Sequence, residues 1–208
     1  ITAVTDAEGH KTTFTYDKVG NQLSMTEEEE ATYKYAYDKK DRVISQTNPL
    51  GASSTFKYDG NDNVTESVDE NGTVTKYAYD KNDNLVSQTD GNGNTTTYQY
   101  DELDRKIGET SPLKETNEYR YDAIGNLTKS KDPMGLITEY KYDSLSNLTE
   151  QISPKGAVTK YDYDKHGNVI SVTDPKGNTT QYSVDLNDNV TKMTQANGGE
   201  YTYNYDKA

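Results

Sequence analysis

The chain has 208 residues and a net charge of −13; only 30% of its residues are hydrophobic, with 19 Tyr, two Phe, no Trp and no Cys. So little apolar material argues against a conventional two-layer core, and a Cys-free chain has neither a disulfide frame nor a thiolate zinc site. The acidity disfavours nucleic acid, which needs clustered Lys and Arg, and no apolar run is long enough for a membrane span.

In chain order, Tyr-Asp begins at Tyr16, Tyr37, Tyr58, Tyr79, Tyr100, Tyr121, Tyr142, Tyr163 and Tyr205. Each start lies 21 residues after the last, apart from one gap of 42, and Val184-Asp185 fills the middle of that gap. A fixed period of this length is the signature of a repeat architecture. About ten slots fit without insertion, so residues 1–208 read as one repeat array. The array opens in mid-repeat at Ile1 and stops at Tyr205-Asp206-Lys207-Ala208, which reads as a piece of a longer protein. Ten of the 35 acidic residues are the Asp of this slot, from Asp17 to Asp206, so much of the acidity is turn chemistry.

Each repeat carries two strand signals and two turn signals. The first strand holds one apolar slot, filled by Val43, Val64, Leu85, Leu127, Leu148, Val169 and Val190. Gln22 and Lys106 break it, with Leu23 and Ile107 following at once, and a one-residue bulge there would keep the apolar side chain on the same face. The second strand alternates: in "TVTKYAY", Thr75, Tyr77 and Tyr79 point one way and Lys76 and Ala78 the other. Its first aromatic slot is Tyr35, Tyr77, Tyr98, Tyr119, Tyr140 and Tyr161 in the clearest copies, with Phe14 and Phe56 as substitutes. Lys57, Arg120, Lys141 and Asp162 face away, on a solvated side.

One turn is Asp-x-x-Gly-Asn, as in Asp122–Asn126, where the Asp side chain accepts a backbone N–H and Gly or Asn takes positive φ. The other is Asp-Pro-x-Gly, a type I turn closed by Gly135, Gly156 or Gly177 in "DPMG", "SPKG" and "DPKG". "EEEE" (Glu27–Glu30) replaces one such turn, and "SPLKET" lacks its Gly. Connections this short force antiparallel neighbours. The expected fold is all-β, an antiparallel meander with two strands per repeat. Successive tyrosine strands then lie roughly 9–10 Å apart, too far for direct ring stacking, and a Val or Leu of the intervening strand fills the gap. Some twenty strands in a twisted sheet imply a curved, spiralling ribbon, since open sheets rarely exceed about ten strands without curling.

Tyr-x-Tyr-Asp-x-x-Gly-Asn-Leu with Asp-Pro-x-Gly resembles the YD repeat, also called the RHS repeat. The motif residues are Tyr35, Tyr37 and Asp38; Tyr77, Tyr79 and Asp80; Tyr98, Tyr100 and Asp101; Tyr119, Tyr121 and Asp122; Tyr140, Tyr142 and Asp143; and Tyr161, Tyr163 and Asp164. Val184 departs from the pattern, and Arg42 and Arg105 stand where most copies have Asn. The family includes bacterial RHS proteins, wall-associated proteins, shell-forming parts of insecticidal toxin complexes, and teneurins. The resemblance implies a long β-sheet that spirals into a hollow shell. It implies a structural module of a large exported bacterial protein, extracellular or wall-associated, that encloses, spaces or displays another domain. The implied partners are neighbouring repeats and enclosed or appended domains of the same polypeptide.

Catalytic residues do not emerge. His10 and His166 sit at different repeat positions with no recurring Ser or Cys beside them, and read as surface histidines. No cofactor is expected. Calcium is the sharper alternative: Asp59, Asn61 and Asn63, Asp80, Asn82 and Asn84, and Asp185, Asn187 and Asn189 space oxygen ligands as calcium loops do. These segments lack the distant bidentate Glu, so hairpin turns explain them better. "DGNGN" (Asp90–Asn94) looks similar. A wall or carbohydrate-binding surface is the remaining alternative, with exposed tyrosines stacking on sugar rings. Seven Asn-x-Ser/Thr sequons, such as Asn126-Leu-Thr128, would accept glycans only in an animal secretory pathway.

Overall fold

The computed structural model describes residues 1–27 and 31–206. Glu28–Glu30 of the acidic run and the final Lys207-Ala208 lie outside the described residues. By their internal contacts the residues form two units, Ile1–Arg105 with Thr110–Lys114, and Lys106–Glu109 with Glu115–Ala208.

In the first unit the strands are β1 Ala3–Thr5, β2 Lys11–Tyr16, β3 Gln22–Thr26, β4 Thr32–Tyr37, β5 Val43–Thr47, β6 Ser53–Tyr58, β7 Val64–Val68, β8 Val74–Tyr79, β9 Leu85–Thr89 and β10 Thr95–Tyr100. β11 is Lys106–Thr110. The second unit continues with β12 Thr116–Tyr121, β13 Leu127–Lys131, β14 Ile137–Tyr142, β15 Leu148–Ile152, β16 Val158–Tyr163, β17 Val169–Thr173, β18 Thr179–Val184, β19 Val190–Thr194 and β20 Glu200–Thr202. There is no helix among the described residues. Thr, Tyr and Val suit a pleated, half-covered surface, and Asp, Asn, Pro and Gly gather in most of the turns between strands. Within each unit consecutive strands pair antiparallel, as β7 with β8 and β8 with β9, or β15 with β16 and β16 with β17. The fold is the all-β antiparallel meander expected, with two strands per repeat.

No hydrophobic side chain is fully buried among the described residues. β8 shows the alternation: Tyr77 and Tyr79 are half-buried, Lys76 and Ala78 exposed. The side of the lysines carries directly opposed ion pairs. Lys57 meets Glu66 at 2.7 Å, Lys141 meets Glu150 at 2.7 Å, and Lys129 meets Glu139 at 2.6 Å. Solvent screens exposed cross-strand pairs of this kind, so they favour the register more than they add stability. At the strand ends, threonine hydroxyls meet across the hairpin, as Thr89 with Thr95 at 2.8 Å and Thr173 with Thr179 at 2.9 Å.

The bulge differs from expectation. It is not confined to the copies with a broken apolar slot. The register shifts in each hairpin closed by a Tyr-Asp turn for which a register is described, between Ala78 and Tyr79 for example, so that Tyr79 faces Leu85 while Ala78 faces Ser87. In the first copy Gln22 itself faces Tyr16 and Leu23 is the extra residue, 39% exposed. The bulge therefore restores no apolar contact there. It is a constant of the backbone, adding twist where the strand meets a tight turn. The predicted aliphatic filling also holds unevenly, for both rings where Tyr161 faces Val172 and Tyr163 faces Val169 but for one ring in other repeats. The second tyrosine faces Val or Leu in most copies, but the first faces a polar residue in several, as Tyr77 faces Gln88 and Tyr140 faces Gln151.

Both turn types share one geometry. In the Pro-containing turn, Asp174 N–H donates to the Asn178 carbonyl and Gly177 N–H to the Asp174 carbonyl, each at 2.9 Å. Gly177 has φ of 86°. Where "SPLKET" lacks the Gly, Lys114 takes its place with φ of 68°, its N–H still donating to Ser111 O at 2.9 Å. A side chain in this left-handed region costs about 1 kcal/mol or more relative to Gly. Lys114→Gly is therefore expected to stabilise the protein by roughly 1 kcal/mol, seen as a higher urea midpoint at unchanged slope. A lower midpoint would show that the Lys114 side chain contributes more than its backbone strain costs.

Candidate functional site

The recurrent chemistry of this chain lies in two sets of contacts that tie each repeat to the next. The first set uses the second tyrosine of each Tyr-x-Tyr. The Tyr79 hydroxyl donates to the carbonyl of Val64, fifteen positions earlier, at 3.0 Å. The same bond runs from Tyr37 to Gln22, Tyr58 to Val43, Tyr100 to Leu85, Tyr121 to Lys106, Tyr142 to Leu127, Tyr163 to Leu148 and Tyr205 to Val190. The ladder between β7 and β8 pairs Glu66 with Lys76, Ser67 with Thr75 and Val68 with Val74, and goes no further. The phenol reaches past that end and supplies a donor to a carbonyl beside the bulge. Burial, then the neighbouring Tyr77 phenol and the Asp59 carboxylate, push the Tyr79 pKa up, which keeps the donor protonated.

The first tyrosines do less. Tyr35, Tyr77, Tyr98, Tyr119, Tyr140 and Tyr161 are half-buried. The hydroxyls of Tyr77 and Tyr140 come only within 3.4 Å of Ser67 and Ser130. Sequence reading treats the two tyrosine slots alike. The signal that separates them was present: Phe14 and Phe56 occupy the first slot, and no Phe occupies the second.

The second set lies in the Tyr-Asp turns. Asp80 Oδ1 accepts the backbone N–H groups of Asn82 and Asn84, and its Oδ2 accepts the Asn84 side-chain amide at 3.1 Å. Asp38, Asp101, Asp122, Asp143 and Asp164 cap their turns in the same way. The positive φ falls on the fourth turn residue, not on the Asn. It is Gly in some copies and Asp41, Asp62, Asp83, Asp104, Ser146 or Asp188 in others.

Such an Asp reaches the preceding repeat. Asp83 Oδ1 accepts the side-chain amides of Asn61 at 2.9 Å and Asn63 at 2.7 Å. Asp104 accepts Asn82 at 2.8 Å and Asn84 at 2.6 Å. Arg42 does the work of Asn with a longer arm: its Nε donates to Asp38 at 2.7 Å and its terminal nitrogen to Asp62 at 2.6 Å.

These loops contain the residues spaced like calcium ligands. Asp59, Asp80 and Asp185 turn their carboxylates onto their own backbones. Asn61, Asn63, Asn82 and Asn84 donate through their amide nitrogens to Asp, and Asn189 donates back to Asp185 at 3.3 Å. The backbone N–H of Asn187 goes to Asp185. No group of three or more His, Asp or Glu side chains suited to a metal ion occurs among the described residues. His10 lies 2.9 Å from Asp6 in an exposed turn, and the backbone N–H of His166 donates to Asp164.

A family model described as RHS Repeat matches residues 1–32, 37–74, 58–93, 79–116, 121–158 and 163–183. The chain belongs to the RHS repeat family. A search of curated proteins found no match. Among solved structures, the RHS-repeat chain is similar to the TcdB2–TccC3 complex without its hypervariable C-terminal region, with TM-score 0.67 and 16% identity over 96% of this chain and 15% of that one. It is also similar to the Photorhabdus luminescens Tc holotoxin pore, with TM-score 0.57 and 14% identity over 91% of this chain and 13% of that one. TcdB2–TccC3–Cdc42 gives TM-score 0.54 and 17% identity over 93% and 13%. At these identities the likeness is one of fold, and the RHS-repeat chain spans a small part of each neighbour's length.

The two tyrosine slots predict different responses to loss of a hydroxyl. Tyr79→Phe removes a donor from a partly covered carbonyl and is expected to cost about 1 kcal/mol. Tyr77→Phe is expected to stay within about 0.5 kcal/mol. Hydrogen exchange over residues 64–90 reads the difference locally, because a repeat array loses stability near the lesion. Equal effects of the two changes would deny the hydroxyl bond its role.

The turn carboxylates predict acid behaviour. The side-chain amide of Asn147, then its backbone N–H, hold the Asp143 pKa below its ordinary value, as Asn94 and Asn178 do for Asp90 and Asp174. At Asp80 partial desolvation pushes upward, and the bonds from Asn84 and Asn82 outweigh it. A carboxylate lowered by folding contributes its stability above the unfolded value of 3.8 and loses it as pH falls through the lower folded value. Relief of the net charge acts the other way until the isoelectric point near 4.6. The melting temperature is therefore expected to hold down to about pH 5 and to fall steeply below about pH 4. A flat curve down to about pH 2 would remove the caps from the stability account.

Proposed function

We propose that this RHS-repeat chain is a structural β-sheet scaffold within a longer exported bacterial polypeptide, extracellular in location, that encloses, spaces or displays an associated domain and catalyses nothing itself. The observation that carries this reading is the division of labour between the two sides of the strands. One side is a half-covered layer of aromatic rings, and the hydroxyl of the second ring of a regular repeat is spent on the repeat before it. The other is paired charge. Such strands satisfy their own polar groups and leave an aromatic side that gains by being covered.

The fold likeness to Tc toxin structures supports the same reading, and it makes a curled, partly enclosing sheet the natural larger form. The wall-polysaccharide alternative is less favoured. Sugar recognition would call on phenol hydroxyls and turn amides that here serve the repeats. In this reading the Asn- and Asp-rich loops are braces without bound calcium, so chelator leaves the melting temperature unchanged.

Limited proteolysis of the full-length polypeptide tests the proposal. A domain that follows the array is expected to resist cleavage while the array is folded, and to become sensitive when mutations in the tyrosine slots unfold it. Equal sensitivity in both states, together with retention of the isolated array on purified wall polysaccharide, would favour the binding-surface reading.

A further inference from the structure

The tyrosine pattern fails once, at Val184, and the failure leaves a space. An open notch of about 270 Å³ is lined by Asn168, Val169, Val172, Tyr182, Val184, Asp188 and Val190. Shifted back by five repeats, these seven correspond in order to Asn63, Val64, Ser67, Tyr77, Tyr79, Asp83 and Leu85. Those are the second tyrosine of a regular repeat, the residue whose carbonyl receives its hydroxyl, the residue it faces across the hairpin, and their near neighbours. The notch is therefore the place where the phenol ring would lie.

We propose that this notch binds one phenolic ring. Its walls match such a ring more closely than a generic apolar depression would. Val172 stands where the equivalent residue is Ser67 or Ser130 in other copies, so the side wall is more apolar here. Val190 faces Val184 across the hairpin, and the half-buried Tyr182 supplies an aromatic wall. Asn168 donates to Asp188 at 2.7 Å and closes the end nearest the turn. In eight other repeats a tyrosine hydroxyl donates to the carbonyl equivalent to that of Val169, and here the chain itself supplies no hydroxyl at that position. A ligand with an aromatic ring and one hydroxyl reproduces what the repeat lacks. The volume lies just under the usual range for small-molecule sites, roughly 300–1,000 Å³, which suits a single ring.

The probe is p-cresol, titrated into the 208-residue chain and followed by amide chemical shifts. Saturable shifts confined to residues around 168–190 are expected, with affinity in the millimolar range. Toluene, which has the same outline without the hydroxyl, is expected to bind roughly three- to tenfold more weakly, the worth of one hydrogen bond. Val184→Tyr refills the slot and is expected to abolish the shifts. Val172→Phe, which crowds the notch from its side wall, provides the same test should the first variant fail to fold. N-acetyl-tyrosinamide and a tyrosine-containing decapeptide separate the two sources of a phenol. Tighter binding of the peptide supports capture of a tyrosine from another polypeptide segment, and equal binding supports a small phenol. Absence of saturable shifts, equal affinity for toluene, or undiminished binding to folded Val184→Tyr would each overturn the proposal.

Discussion

With no fully buried hydrophobic side chain among the described residues, the strands need ties other than packed apolar layers, and beyond the backbone ladders the recurrent tie is one hydrogen bond repeated along the chain. The hydroxyl of the second tyrosine spans from its own strand to the carbonyl at the start of the preceding one. The ring is itself half-buried, and across its hairpin it faces Leu85 in the copy that holds Tyr79. One side chain thus gives area to the face and a donor to the backbone. The ladder between β7 and β8 stops at Glu66 and Lys76, short of Val64. The bond gives the carbonyl left beyond that ladder a partner.

The turns solve a related problem at the edges. A Gly at the fourth turn position adopts positive φ without strain, as Gly125 and Gly167 do. An Asp there carries strain, yet its carboxylate accepts amides from the repeat before. The chain uses both. Where Asp is chosen, the cost in backbone strain is about 1 kcal/mol and the return is one or two charge-assisted bonds. This trade gives a hydrogen-bonding account of a sequence rich in Asn-Asp-Asn. It also explains why Arg42 can replace Asn, since both donate to their own capping Asp and to the Asp of the next repeat.

Much of this fold was legible because a 21-residue period with two turn signals leaves few ways to connect strands. The meander, the strand count per repeat and the alternation in β8 follow from local pattern. What stayed hidden are contacts between residues fifteen and twenty positions apart. No local periodicity encodes that Tyr79 reaches Val64 or that Asn63 reaches Asp83. The bulge was only half visible for the same reason: Gln22 and Lys106 suggested it as a repair, while the structure uses it wherever a Tyr-Asp hairpin is described. The contrast between a first slot that accepts Phe and a second that does not was the one written trace of the hydroxyl bond.

These long-range bonds also account for the strictness of the period. Between Val64 and Tyr79 lie the rest of β7, one turn and nearly all of β8. One added residue in that turn would shift the register and carry the phenol away from its carbonyl, or turn its side chain to the other face. Between Asn63 and Asp83 lies almost a complete repeat, so an insertion in either turn breaks that link as well. Ordinary loops accept insertions because nothing across them is in register. Here both kinds of turn are bracketed by such bonds, and substitution is freer than change of length. Val184 fits this logic. It gives up one hydroxyl and opens one notch, but it leaves the count of residues, and hence all the neighbouring bonds, in place.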